Sequence, residues 1–407
     1  MSRNASPAPP PEAQSSVMAG RPSRTSSAGR LVGVDLARGL AVLGMFAAHV
    51  GPDPSEGGAL GWGMEVARGR SAALFALLAG FTLVVLTGRP RARTGRAGRQ
   101  AMGRVVIRSL SLIVLGYALT GLDTGVDVIL ACYGLLFVIA LPLHRLRAAT
   151  LAAVAAAGAL VLPQVLYLLR AAVEYGSWGD AVIDRDPLAW ATGSDGVVEL
   201  FITGAYPVLT WLPFIVAGMA VGRLDLGRPG VVGRVGLLGG ALAVLGYGGS
   251  WLALHLVPGA LDGVGEASGS GASVAASAWW SDGVGEDPVA GVPAWLLVGS
   301  PHSQTTWPIL GNTGVALVVL AVCLVAMERS AWLRRAAAPV VAVGSIALTA
   351  YVAHIVAIEA LETDGMPVLL WFAVAAMLFA LAWTRFFRRG PLEYVMHAAA
   401  KPAFLIN

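Results

Sequence analysis

From residue 31 onward, apolar stretches alternate with short polar connections, at about 31–51, 71–88, 105–121, 126–143, 148–168, 197–221, 231–257, 307–327, 337–360 and 366–385. A run of roughly 17–25 apolar residues is the length that crosses a bilayer core as a helix. The pattern therefore predicts an all-α, polytopic membrane protein of about ten transmembrane helices. Residues 1–29, rich in Ser, Ala, Pro and Arg and without an apolar run, read as a disordered tail rather than a signal peptide. The helical bundle is expected over 30–390 and a second tail over 391–407. Two connections are long, 169–196 and 258–306, and the second contains the Gly/Ser-rich stretch EASGSGASVAASAWW. Such loops are functional or flexible, and this stretch reads as flexible, with Trp279, Trp280, Trp295 and Trp307 as anchors at the membrane surface.

Composition agrees. Of 407 residues 56% are hydrophobic and only 13% charged, against about a quarter charged in a soluble domain. A soluble enzyme is excluded. The net charge of +4 changes the picture only through its distribution. With the N-terminus inside, the cytoplasmic segments collect nearly all the Arg residues, including the run from Arg89 to Arg108. The opposite side keeps Arg68, Arg70, Arg170 and Arg185, together with most of the acidic residues, among them Asp53, Asp180, Asp184, Asp186, Asp282, Glu286 and Asp287. This is the arrangement that places both termini in the cytoplasm of a multi-pass protein of the cell (plasma or inner) membrane. The basic charge thus reports topology and gives no reason to expect a nucleic-acid partner; the expected surroundings are the lipid bilayer. Cys132 and Cys323 lie in apolar runs without His or Cys at metal-ligand spacing, so neither a disulfide framework nor a metal site is expected.

Ionisable side chains inside spans are costly and each is a candidate for function. The first span, RLVGVDLARGLAVLGMFAAHVG, is the richest. Asp35 and Arg38 can meet on one helical face, and His49 falls on nearly the same face about 16 Å further along the axis. Asp35 and Arg38 read equally as a structural ion pair. His49 titrates near neutrality and is followed by the helix-breaking Gly51, Pro52 and Asp53, which favours a catalytic role. His354, in ALTAYVAHIVAIEALE, is intramembrane with Tyr351 on its face and Glu359 beyond. His302 stands at the mouth of a span in SPHSQTTW, and His255 also falls toward the outer side. His144 and His397 read as solvated. Pro207 and Pro213 predict a kinked or partly unwound span whose freed carbonyls can line a cavity.

The spacing of Arg38 and His49 is similar to the first-helix Arg-x(10)-His motif of membrane acyltransferases that modify envelope sugars. The stretches GRSAALFALLAGFTLVV, AYPVLTWLPFIVAGMAVGR, SPHSQTTWPILGNTGVAL and VGSIALTAYVAHI resemble bacterial relatives of heparan-α-glucosaminide N-acetyltransferase, and GPLEYVMHAAA resembles the closing motif of the YeiB-like family. The resemblance implies acyl transfer from cytoplasmic acetyl-CoA to an extracytoplasmic glycan or envelope acceptor. It departs from the lysosomal enzyme in one respect, since the loop after the first span here contains no histidine.

Attack of an amine or hydroxyl on a thioester needs a base and a stabilised oxyanion. His49 is the expected base or acyl acceptor, with Arg38, Asp35 and His354 as further catalytic candidates and Glu359 or Asp53 to orient it. Arg68, Arg70, His302, Tyr351 and Glu359 are the candidates for binding the acceptor or the acyl-CoA, and the basic cluster between Arg89 and Arg108 for meeting coenzyme A phosphates. A proton-coupled transporter is the alternative, although spans one to five and six to ten show no repeat.

Overall fold

The computed structural model describes residues 24–89, 91–176, 178–192, 195–285, 289, 291–361 and 364–406. Residues 1–23 of the expected tail, and Glu286 and Asp287, lie outside this range. Among the described residues every regular element is helical. The main helices are α1 Arg24–Val50, α2 Gly58–Ala67, α3 Arg70–Thr87, α4 Gly95–Thr120, α5 Leu130–Ala140, α6 Ala148–Tyr175 and α7 Val208–Arg223. They continue with α8 Val231–Leu256, α9 Ala260–Ala267, α10 Thr306–Arg329, α11 Ala338–Ser345, α12 Ala347–Leu361, α13 Met366–Phe386 and α14 Pro391–Ala399.

Each apolar run of the sequence appears as a helical segment, but they are not alike. Among the described residues seven helical stretches are long and apolar enough to cross a membrane, and an eighth is the pair α11 and α12, bent by 87°. The apolar helices Leu130–Arg145 and Val208–Arg223 are shorter. The run at 197–221 is broken where the chain meets Pro207, just before α7, while Pro213 sits inside α7 without ending it. Helix α1 begins at Arg24, so the first helix extends into the expected tail. At the other end α14 and the turn Lys401–Leu405 fold back on α4: Met396 and Ala403 are buried and Gln100 donates to the carbonyls of Phe404 and Ile406.

Helices in lipid gain little from hydrophobic burial against each other, so small residues that allow close backbone approach decide which pairs pack. A Cβ at Gly39 would collide with the Val340 carbonyl oxygen, and one at Gly344 with that of Asp35. These two glycines seat α11 against α1. In the same way Gly80 and Gly218 each occupy the space over a carbonyl of the opposing helix, Ile215 and Leu77 respectively, and draw α3 onto α7.

The bend between α11 and α12 exposes backbone groups at two helix ends, and the structure satisfies them with side chains from distant parts of the chain. Arg38 donates to the Gly344 carbonyl (3.3 Å) as well as to Asp35 (2.9 Å) and Thr82 (3.2 Å). The Glu393 carboxylate accepts from the N–H groups of Leu348 (2.8 Å) and Thr349 (3.3 Å) and from the Thr349 hydroxyl (2.6 Å). Gly390 is required beside it, since a Cβ there would strike Glu393 and crowd Ile346 and Thr349. The GPLEY motif is therefore the N-terminal cap of a half-helix.

The Gly/Ser-rich stretch after α8 is folded, contrary to the flexible reading. Leu254, Val264, Ala275, Ala278, Val284, Trp295 and Val298 form a small core of their own. The Gly/Ser-rich composition concealed this because alanines supply the packing: Ala275 and Ala278 are fully buried. Trp295 is buried in that core instead of anchoring at a membrane surface, and the Trp280 ring lies by Arg70 at 5.9 Å.

Candidate active site

The break that ends α1 leaves His49 in its last turn, and the bend before α12 brings His354 beside it. His49 Nδ1 and His354 Nε2 are 2.9 Å apart, with the rings stacked at 5.2 Å between centroids. Phe46 and Tyr351 pack on the His354 ring at 4.6 and 5.0 Å. His354 Nδ1 is buried and has no hydrogen-bond partner. The short contact is met when His49 Nδ1–H donates to His354 Nε2, a tautomer in which His49 Nε2 keeps its lone pair.

His49 borders a cavity of about 230 Å³, lined also by Arg68, Ser71, Asp127, Tyr206 and His302 among others. Three chain breaks build its walls. The first is the elbow between α2 and α3, where Gly69 has φ 63° and packs against Pro301. The second is the unwound segment before α7, which supplies Tyr206 and whose Ala205 carbonyl accepts from His302 Nδ1 (3.5 Å) and Gln304 Nε2 (2.9 Å). The third is the loop before α10, where His302 and Gln304 have φ of 61° and 59°. Positive φ costs a non-glycine residue energy and persists only where the surroundings dictate it. Here the Thr210 hydroxyl donates to Gln304 Oε1 (2.6 Å), Ser303 Oγ to the Ser300 carbonyl (2.9 Å) and Thr305 Oγ1 to the Val298 carbonyl (2.5 Å).

Arg68 bonds Asp282, in the connection between α8 and α10, at 2.5 Å, and the Asp282 N–H donates to Glu65 Oε1 at 3.1 Å. Arg70 is a buried structural clamp: its guanidinium donates to the carbonyls of Glu65 (2.8 Å) and Trp280 (2.5 Å) and to Tyr247 Oη (3.0 Å).

Residues 30–232 match the family model of the heparan-α-glucosaminide N-acetyltransferase catalytic domain, and residues 289–402 match that of a protein family of unknown function (DUF418). Over residues 30–232 the chain is similar to that catalytic domain. Neither a curated protein nor a solved structure matched it. The acetyltransferase-like segment carries His49, Arg68, Asp127 and Tyr206, whereas His302 and His354 come from the second matched segment. The cavity is assembled from both.

The other sequence candidates fall elsewhere. Asp35 and Arg38 form the expected pair, but they serve the bend between α11 and α12 and do not reach His49. Tyr351 is buried, and its hydroxyl lies 3.4 Å from the Ile129 N–H as the acceptor. Glu359 is exposed on α12, and Asp53 caps the turn Pro54–Glu56 through the Ser55 N–H, a bond that holds its carboxyl below the usual carboxylate range. The partner that orients His49 is His354. His144, read as solvated, is buried; its carbonyl accepts from Arg223. Asp127, Tyr206 and Glu393 were not singled out from sequence; only the motif around Glu393 gave a signal.

Proposed function

We propose that the chain is a membrane-embedded acyltransferase that moves an acyl group, acetyl by family resemblance, from cytoplasmic acyl-CoA to an amine or hydroxyl of a glycan or envelope molecule on the opposite face of the cell membrane. Both termini are cytoplasmic in this reading, and the cap over residues 258–306 faces outward. The observation that carries it is the His49–His354 pair at the edge of a polar cavity.

At about 230 Å³ the cavity is smaller than the roughly 300–1,000 Å³ that encloses a drug-sized ligand. It admits the reacting ends of two substrates, so the nucleotide of coenzyme A stays outside it. His49 Nε2 takes the proton of the attacking amine or hydroxyl as that atom bonds to the thioester carbonyl carbon, a contribution of about 10²–10⁴-fold. The resulting imidazolium is stabilised by His354 Nε2 accepting from Nδ1–H. Arg68 spends one nitrogen on Asp282 and offers its remaining N–H groups to the carbonyl oxygen as it gains charge. Collapse of the tetrahedral species breaks the C–S bond, the bonding pair leaves on sulfur as the coenzyme A thiolate, and His49 returns its proton to water.

The test is transfer of label from radiolabelled acetyl-CoA to a cell-envelope extract by the purified protein. Transfer that falls at least 100-fold in His49→Ala, with an unchanged melting temperature, supports the reading. Absence of acetyl-CoA binding and consumption by the native protein overturns it and turns attention to solute flux.

A further inference from the structure

His302 lines the same small cavity as His49, and nothing in the reaction above uses it. We infer that His302 is a second catalytic residue, the acid that protonates the departing sulfur while His49 acts as base. The inference rests on the acyltransferase reading of the cavity.

Four observations support it. First, the ring is presented at a cost: φ is 61° at His302 and 59° two residues on, in a loop tied down by Gln304, Ser303 and Thr305. Rarely populated backbone held this firmly is characteristic of functional sites. Second, the ring is oriented. Its Nδ1 lies on the Ala205 carbonyl, which directs Nε2 away from that wall, and Tyr206 and Trp211 flank the ring at 5.5 and 6.1 Å. Third, the hydrogen-bond partners of the two histidines differ in kind. His302 Nδ1 meets a backbone carbonyl, an acceptor that stabilises imidazolium. His49 Nδ1 meets another imidazole.

Fourth, both rings line one cavity of about 230 Å³, so an acid and a base can act on the same reacting centre. The remaining charged groups at this cavity are Arg68, which is paired with Asp282, and Asp127; Tyr206 and the His354 ring behind His49 complete the titratable set. In the transfer step the acceptor's proton passes to His49 Nε2 and the new C–N or C–O bond forms. The C–S bonding pair goes to sulfur, which takes the proton from His302 Nε2. Proton exchange between the two rings through the cavity resets them.

The experiment compares His302→Asn with the native full-length protein in detergent or liposomes. Asn tolerates positive φ and its amide retains a donor for the Ala205 carbonyl, so the loop is kept while Nε2 is removed. With acetyl-CoA as donor, the native rate should be bell-shaped in pH. The variant should be slower by about 10²-fold and lose the descending limb. With an aryl thioester donor, whose thiolate leaves without a proton, its rate should be within about threefold of native. Equal losses with both donors, or an unaltered pH profile in the variant, overturn the role of His302. If the native protein transfers from neither donor, the acyltransferase reading itself fails, which separates the two outcomes.

Discussion

His49 and His354 are separated by 305 positions, yet each is informative only through the other. A histidine with one nitrogen bound has its tautomer chosen for it, and in the proposed reaction the other nitrogen of His49 is the base. Replacing His354 with Ala removes the acceptor for His49 Nδ1–H and frees the ring to turn. Loss of a group that fixes a histidine's tautomer costs about 10–100-fold in metal sites, and a loss of that size in kcat, with KM for acetyl-CoA little changed, is expected here from steady-state kinetics. Both histidines were legible as intramembrane polar residues. Their pairing was not, because nothing in a single sequence reports which spans touch. Reasoning from chain proximity pointed instead to Asp53 and Glu359, which are near His49 and His354 in sequence and turned elsewhere in space.

Among the elements, the bent pair α11 and α12 best illustrates how sequence and fold divide the information. The run at 337–360 reads as one span because its hydropathy is continuous; what breaks it is the close seating of Gly344 on α1 and the supply of substitute partners from elsewhere. Arg38 supplies one end and Glu393 the other. Glu393→Ala leaves the N–H groups of Leu348 and Thr349 without their acceptor, and a buried group so deprived costs about 1–3 kcal/mol. A lower melting temperature in a thermal scan is expected, with Glu393→Gln intermediate because its amide oxygen still accepts. The cap between α8 and α10 makes the opposite point. Its Ala- and Gly-rich composition looked unstructured, but small side chains pack closely against each other and against Trp295.

For the molecule as a whole, hydropathy sufficed to establish a helical membrane protein, since apolar length is a local property. The placement of Arg residues gives an orientation that labelling can check. Glu266, on α9 of the cap, and Arg96, at the start of α4, are both exposed, and the native Cys132 and Cys323 are buried. A membrane-impermeant maleimide should label Glu266→Cys on intact cells and Arg96→Cys only after permeabilisation. The reverse pattern would invert the topology and, with it, the face at which the acceptor is met.

The cavity draws His49, Arg68 and Tyr206 from one matched segment and His302 and His354 from another. A chain truncated after residue 232 would therefore keep a histidine at the end of its first helix but lose the two imidazoles that give it direction and company. In genetic terms the two segments are complementation partners: neither is a module to be transplanted alone, and a change in how either packs is felt as a change in the chemistry of the other.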